Sequence, residues 1–139
     1  MKFKRTILGH IALLLFFLIF TGCEIEEHSK NFNVAALKEI AAEMVLIIND
    51  RSWDELRALS SDEFKNKFDD DFIERNLYSF LNKTGRYKFT RSIFFTESAE
   101  EKTGEKVGII IVKTKYEYKK LTYTFNFNER NELIGFFIQ

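Results

Sequence analysis

The chain has 139 residues, with 21 basic against 21 acidic side chains, one cysteine and two histidines. That length holds one domain with a modest core. A lone Cys23 cannot form an internal disulfide, and the histidines, His10 and His28, both lie near the N-terminus. The body of the chain therefore lacks the residues of a Ser-His-Asp or Cys-His device and of an ordinary zinc site, and no clustered basic surface is legible that would suit nucleic acid.

Lys2, Lys4 and Arg5 precede an apolar run from Ile11 to Phe20. A basic start, an apolar stretch of about 7–15 residues and small residues before a cut make a secretory signal. A spanning helix needs about 20 apolar residues, and Gly9 and His10 interrupt any extension. Phe20-Thr21-Gly22-Cys23 resembles the bacterial lipobox, with Phe20 in place of the usual aliphatic residue. The resemblance implies a signal peptide over 1–22 that is removed. It implies a Cys23 that carries palmitate-class lipid, and a lipoprotein held on the outer side of a bacterial cell membrane. Stable anchoring needs more than one acyl chain, and such cysteines carry two or three. Glu24 is not the Asp of the inner-membrane retention signal. Without residues 1–22 the chain keeps 117 residues, 18 bases and 21 acids. That balance gives no electrostatic reason to lie on an anionic membrane.

Residues 23–33 are polar and without periodicity, which predicts a tether; a single domain over 34–139 follows. Val34, Leu37, Ile40, Ala41, Met44, Val45 and Ile48 recur at helical spacing, with Asn33 as N-cap and Asn49-Asp50 as the end. Ser52 as N-cap predicts a short helix carrying Trp53, Leu56 and Leu59. Ser60 to Glu63 predicts another with Phe64 and Phe68, and Phe72 to Leu81 a further one stopped near Gly85. From Arg86 the residues turn β-branched and aromatic. Strands are expected over Tyr87–Phe95, Val107–Tyr118, Leu121–Phe127 and Leu133–Ile138. Ser98–Glu105 reads as a charged loop, Lys119-Lys120 as a tight turn and Asn128–Glu132 as a second turn. Helices first and consecutive strands after predict an α+β domain with an antiparallel four-stranded meander.

Trp53, Leu56, Leu59 and Ser60, then Gly85-Arg86-Tyr87, then Val107 to Glu117 with Leu121, Phe125, Phe127, Ile134 and Gly135 form a further pattern. From about Ala41 to Gln139 it resembles small uncharacterised bacterial domains of the nuclear-transport-factor-two-like (cystatin-like) superfamily. Lys119-Lys120 departs from the usual Gly or Asn of the hairpin turn. Asn131 replaces the usual glycine of the last turn and tolerates positive φ. The resemblance implies a sheet curled around helices into a cone with an apolar interior. That superfamily holds isomerases, dehydratases and silent binding modules, so fold does not decide function.

Asp69-Asp70-Asp71 could suit a hard cation. Consecutive helix-start residues diverge, however, and acids suit the positive end of a helix, so a helix start is expected and no metal. Tyr87, Tyr116, Tyr118 and Tyr123 with Asp50 and Asp54 contain the groups of an isomerase-type site, but both aspartates fall near helix ends, and no catalytic residue is assigned. Phe94 and Phe95 point to opposite sheet faces, as do Phe136 and Phe137. One of each pair must face away from the helices, which predicts a partner, a homodimer included, on the outer sheet face or a ligand inside. The candidate pocket or interface residues are Trp53, Tyr87, Phe95, Tyr116, Tyr123 and Phe137. The expectation is a lipid-anchored, extracytoplasmic binding module without cofactor or catalytic activity. The alternative is a binder of small apolar ligands, or a weak isomerase-like enzyme, working inside the cone.

Overall fold

A computed structural model describes residues 27–139. The signal peptide expected over 1–22, the lipid site expected at Cys23 and the first residues of the expected tether lie outside the described residues. Helix α1 spans Val34–Asp50, and the Asn33 side chain accepts from the Ala36 N–H, as an N-cap should. Val34, Leu37, Ala41, Met44, Val45 and Ile48 form its buried stripe. Arg51, at φ 59°, ends it in the left-handed region. The short helices α2 (Trp53–Ala58) and α3 (Asp62–Lys67) follow; Ser61 caps the second by accepting from Phe64 N–H, whereas Ser52, the expected cap of the first, occupies the N-cap position without a side-chain cap bond. The last helical stretch joins α4 (Asp70–Ile73), a π-turn (Glu74–Tyr78) and α5 (Ser79–Leu81).

The triple aspartate separates into three jobs. Asp69 caps α4 by accepting from Phe72 N–H, Asp70 pairs with Arg57 at 2.9 Å, and Asp71 pairs with Arg75. The three carboxylates diverge as consecutive helix-start residues must.

Four antiparallel strands in the order β1-β2-β3-β4 complete the α+β fold. They are β1 (Tyr87–Ala99), β2 (Lys106–Tyr116), β3 (Lys120–Phe127) and β4 (Leu133–Ile138). Strand β1 runs four residues beyond the expected end, because Thr96 to Ala99 keep their ladder with Lys106 to Ile109. Polar residues suffice there, since Thr96 to Ala99 are themselves exposed. The tight turn expected at Lys119-Lys120 is displaced. Lys120 already pairs with Lys115, and Tyr116 N–H bonds to Lys119 O across a turn of Glu117 to Lys119. Gly85 enters the sheet at φ 73°, where an added Cβ would stand 2.7 Å from the Glu117 Cβ, so conformation and space both demand glycine. Asn131 takes φ 61° in the β3–β4 turn.

The helices cover one face of the sheet. Strand β3 alternates strictly, burying Leu121, Tyr123, Phe125 and Phe127. Ile110, Val112, Thr114 and Tyr116 of β2 point the same way and are buried as well. The helical layer is tied to β4 by Ser61 N–H to Leu133 O and Leu133 N–H to Leu59 O, both 2.9 Å.

Residues 27–33, expected as part of a free tether, lie against the sheet instead. Glu27 accepts from Phe95 N–H of edge strand β1 at 2.8 Å and pairs with Lys38 of α1 at 2.7 Å. Ser29 donates to Glu97 at 2.6 Å, and its hydroxyl also accepts from the Asn31 and Phe32 amides. The resulting turn drives Phe32 into the core beside Phe95, with ring centroids 6.1 Å apart. Gly108 makes room for it, since a Cβ there would meet Phe32 and Leu37 at 3.1 Å.

Candidate functional site

The inner face of the sheet carries a continuous aromatic train. Trp53 packs edge-on to Phe68, Phe68 meets Phe136, Phe136 meets Phe125, and Phe125 stacks on Tyr123 at 5.8 Å. The train ends in two fully buried phenols, Tyr116 and Tyr123, whose hydroxyls lie 2.6 Å apart. Tyr87 stands edge-on to Tyr116, and its own hydroxyl bonds to that of Thr90. Burial pushes the Tyr123 phenol far above its usual value, and the neighbouring phenols Tyr116 and Tyr87 push it the same way. Burial raises Tyr116 too, against the opposing hydrogen bond from Tyr123. Both stay neutral near pH 7. Apart from burial, the groups that shift them are one another and Tyr87, and no carboxylate is among them. Asp54 is exposed and bonded to Arg57, and Asp50 is exposed at the end of α1. Among the described residues the pair has hydroxyl donors, and neither Asp50 nor Asp54 stands beside it as a base.

Open depressions exist elsewhere. One of about 550 Å3 lies among Asp62, Lys67, Glu105, Lys106, Arg130 and Glu132. Another of about 400 Å3 lies among Asn49, Arg51, Thr84, Arg86 and Tyr87. Neither is lined by Tyr116 or Tyr123.

The outer face is the unfinished one. In one row of the register Phe94 pairs with Ile111, Ile111 with Thr124, and Thr124 with Phe137. Phe137 is 65% exposed and Phe94 44% exposed, and Phe89, opposite Lys115, is 55% exposed. Lys113 sets its ammonium 5.3 Å from the centre of the Phe94 ring. Gly135 lies in the next row, opposite Asn126, and an added Cβ there would meet nothing within 4 Å. Neither backbone conformation nor packing within the chain calls for that glycine. Gly135 borders the register shift between Asn126 and Phe127, and a strand glycine marks either such an irregularity or a close approach from outside.

The six candidate residues thus divide. Tyr87, Tyr116 and Tyr123 meet at one end of the core. Phe95 sits at the other end with Phe32, Trp53 belongs to the helical layer, and Phe137 is on the opposite face. They do not line one pocket. The residues missed are Phe89, Phe94, Lys113 and Lys115. The strand period carried the signal for Phe94, whose neighbour Phe95 faces inward. Phe89 was hidden by the irregular register of β1, which shifts between Tyr87 and Phe89 and again between Thr90 and Ser92.

No curated protein matches the chain. Among solved structures it is similar to that titled "NMR structure of protein from Ruminococcus gnavus ATCC 29149", with a TM-score of 0.68 and 17% identity over 79% of this chain and 94% of that one. At that identity the likeness concerns the fold. A family model described as "Protein of unknown function (DUF3887)" matches residues 41–136, from the middle of α1 to the inward-facing Phe136 of β4, and the chain belongs to that family.

Proposed function

We propose that this is a lipid-anchored interaction module of the bacterial envelope, of the nuclear-transport-factor-two-like kind, which binds through the outer sheet face and performs no chemistry. The observation that supports it is the contrast between the two faces. Inside, aromatic side chains fill the space and the phenols satisfy each other without a carboxylate. Outside, three phenylalanines stand in the open on one ordered surface. Exposed apolar groups gathered on one face are characteristic of interaction surfaces.

Mass spectrometry of the chain recovered from bacterial membranes tests the anchor. The expected product begins at Cys23 with acyl masses on it; a chain that keeps residues 1–22 overturns the reading. A screen of apolar small molecules against the full chain, read by Trp53 fluorescence, tests the absence of an interior site. Saturable binding abolished by Tyr123→Phe would move the assignment to a ligand binder using the phenol pair.

A further inference from the structure

We propose that the outer sheet face docks on the bilayer that holds Cys23, an inference that rests on the acylated Cys23 of the reading above. Chain length is the first argument. Glu27 is fastened at the edge of the sheet, through Phe95 N–H and Lys38. Only four peptide links separate it from Cys23. At about 3.3–3.6 Å per residue, that leash reaches at most about 14 Å. Three inter-strand spacings of about 4.8 Å, the width of this four-stranded sheet, come to a similar length. Lipid on Cys23 therefore holds the β1 edge, and Phe94 next to the fastening point, within one sheet width of the membrane surface. A free tether over 23–33 would have allowed more than twice that distance.

Charge is the second argument. The four strands contain a single carboxylate, Glu97, which pairs inward with Gly108 and is occupied by Ser29 and Asn31. Their outward rows hold Lys113 and Lys115 beside Phe89, Phe94, Ile111 and Phe137, and no acid. The whole chain is near neutral, yet this face is basic and apolar. Lysines around exposed aromatic and aliphatic groups are the pattern of a surface that lies in the headgroup region of anionic lipid. A second copy fits less well, because pairing these faces would bring lysines together with no carboxylate on either to answer them. Gly135 leaves an open recess beside Phe137, where lipid can fill irregular space.

The test uses the full-length acylated chain with a nitroxide on Thr124→Cys, in the middle of the outer row, and a second preparation labelled at Ala58→Cys on exposed α2. Both are reconstituted in vesicles of phosphatidylethanolamine with phosphatidylglycerol, and accessibility to an aqueous nickel chelate is read. The expected result is loss of chelate access at Thr124, with Ala58 still open to water. In the background Lys113→Glu with Lys115→Glu, Thr124 should return to water while the chain stays on the vesicle. Equal access at both sites on an acylated chain overturns the docking alone. Spin–spin broadening that grows with protein per lipid assigns the face to a second copy and also overturns it. Shielding that survives the charge reversal overturns charge-directed docking. A Cys23 without acyl mass removes the leash and the anchor together.

Discussion

The two faces of this sheet are made by the same strands and end in opposite conditions. On β4, Phe136 packs among Phe64, Phe68 and Phe125, while its neighbour Phe137 is 65% exposed. Across the register, Gly108 is crowded by Phe32 and Leu37, while Gly135 has nothing above it. A face completed by its own chain leaves no space unaccounted for. The outer face leaves both an excess of aromatic surface and a gap. That asymmetry, rather than any single residue, points to where this molecule meets something else.

The largest test of the contrast is a pair of truncations. Phe125→Ala should cost about 3–5 kcal/mol through the cavity it leaves. Phe137→Ala should change stability by no more than about 0.5 kcal/mol, as exposed substitutions do. Urea denaturation of the full chain followed by Trp53 fluorescence measures both, and equal costs would dissolve the distinction.

The phenols come next. Tyr123→Phe strands the Tyr116 hydroxyl and should cost about 1–3 kcal/mol, with part of that recovered when Tyr116→Phe is added. The pair also sets an alkaline limit. An unfolded tyrosine titrates near 10.0, whereas burial keeps both native phenols protonated above that. Above about pH 10 the unfolded state loses protons that the native state retains, so stability falls as pH rises, by about 1.4 kcal/mol per unit for each phenol. Below that pH the contribution is fully present. A stability profile of Tyr116→Phe/Tyr123→Phe should lack this alkaline slope.

The glycines give a finer test. Gly108→Ala forces Phe32 or Leu37 to move and should cost about 1 kcal/mol or more. Gly135→Ala should stabilise by about 0.5–1 kcal/mol, because a strand glycine loses more freedom on folding and here nothing obstructs a methyl group. Thermal unfolding of the two variants should shift in opposite directions.

The smallest effect concerns the leash. Burial raises the Glu27 carboxyl, but the Lys38 hydrogen bond, the Phe95 amide and the Lys38 charge outweigh it and hold it below its ordinary value of 4.5. Its contribution is present above that value and is lost as pH falls through the depressed native one. Glu27→Gln should cost up to about 1 kcal/mol, as half-exposed pairs do, and should speed hydrogen exchange at the Phe95 amide. Unchanged exchange would mean that Glu27 does not fasten the N-terminal segment.

Much of the fold was legible because its signals are local. The α1 stripe, the caps at Asn33 and Ser61, the alternation from Leu121 to Phe127 and the positive φ at Asn131 each follow from side-chain chemistry within a few residues. The triple aspartate was legible for the same reason. The N-terminal segment was not. Glu27, Ser29 and Asn31 read as polar linker, and only the neighbouring β1 edge, some seventy residues away in sequence, gives them partners.

The candidate site was half legible. Period two states that Phe94 and Phe137 must leave the core, but not that they share a row, since register is set by pairing across strands. Composition balances the charges of the whole chain, and it cannot reveal that the four strands hold one carboxylate, Glu97, and that their outward rows carry lysines and no acid. The sequence by itself determined the order of elements and the α+β class, because these depend on residue identity and local spacing. The tertiary structure alone decided that the phenols pair with each other, that Glu27 is fastened at the β1 edge, and that the exposed aromatics and lysines share one face. Each of those depends on which distant residues the sheet brings side by side.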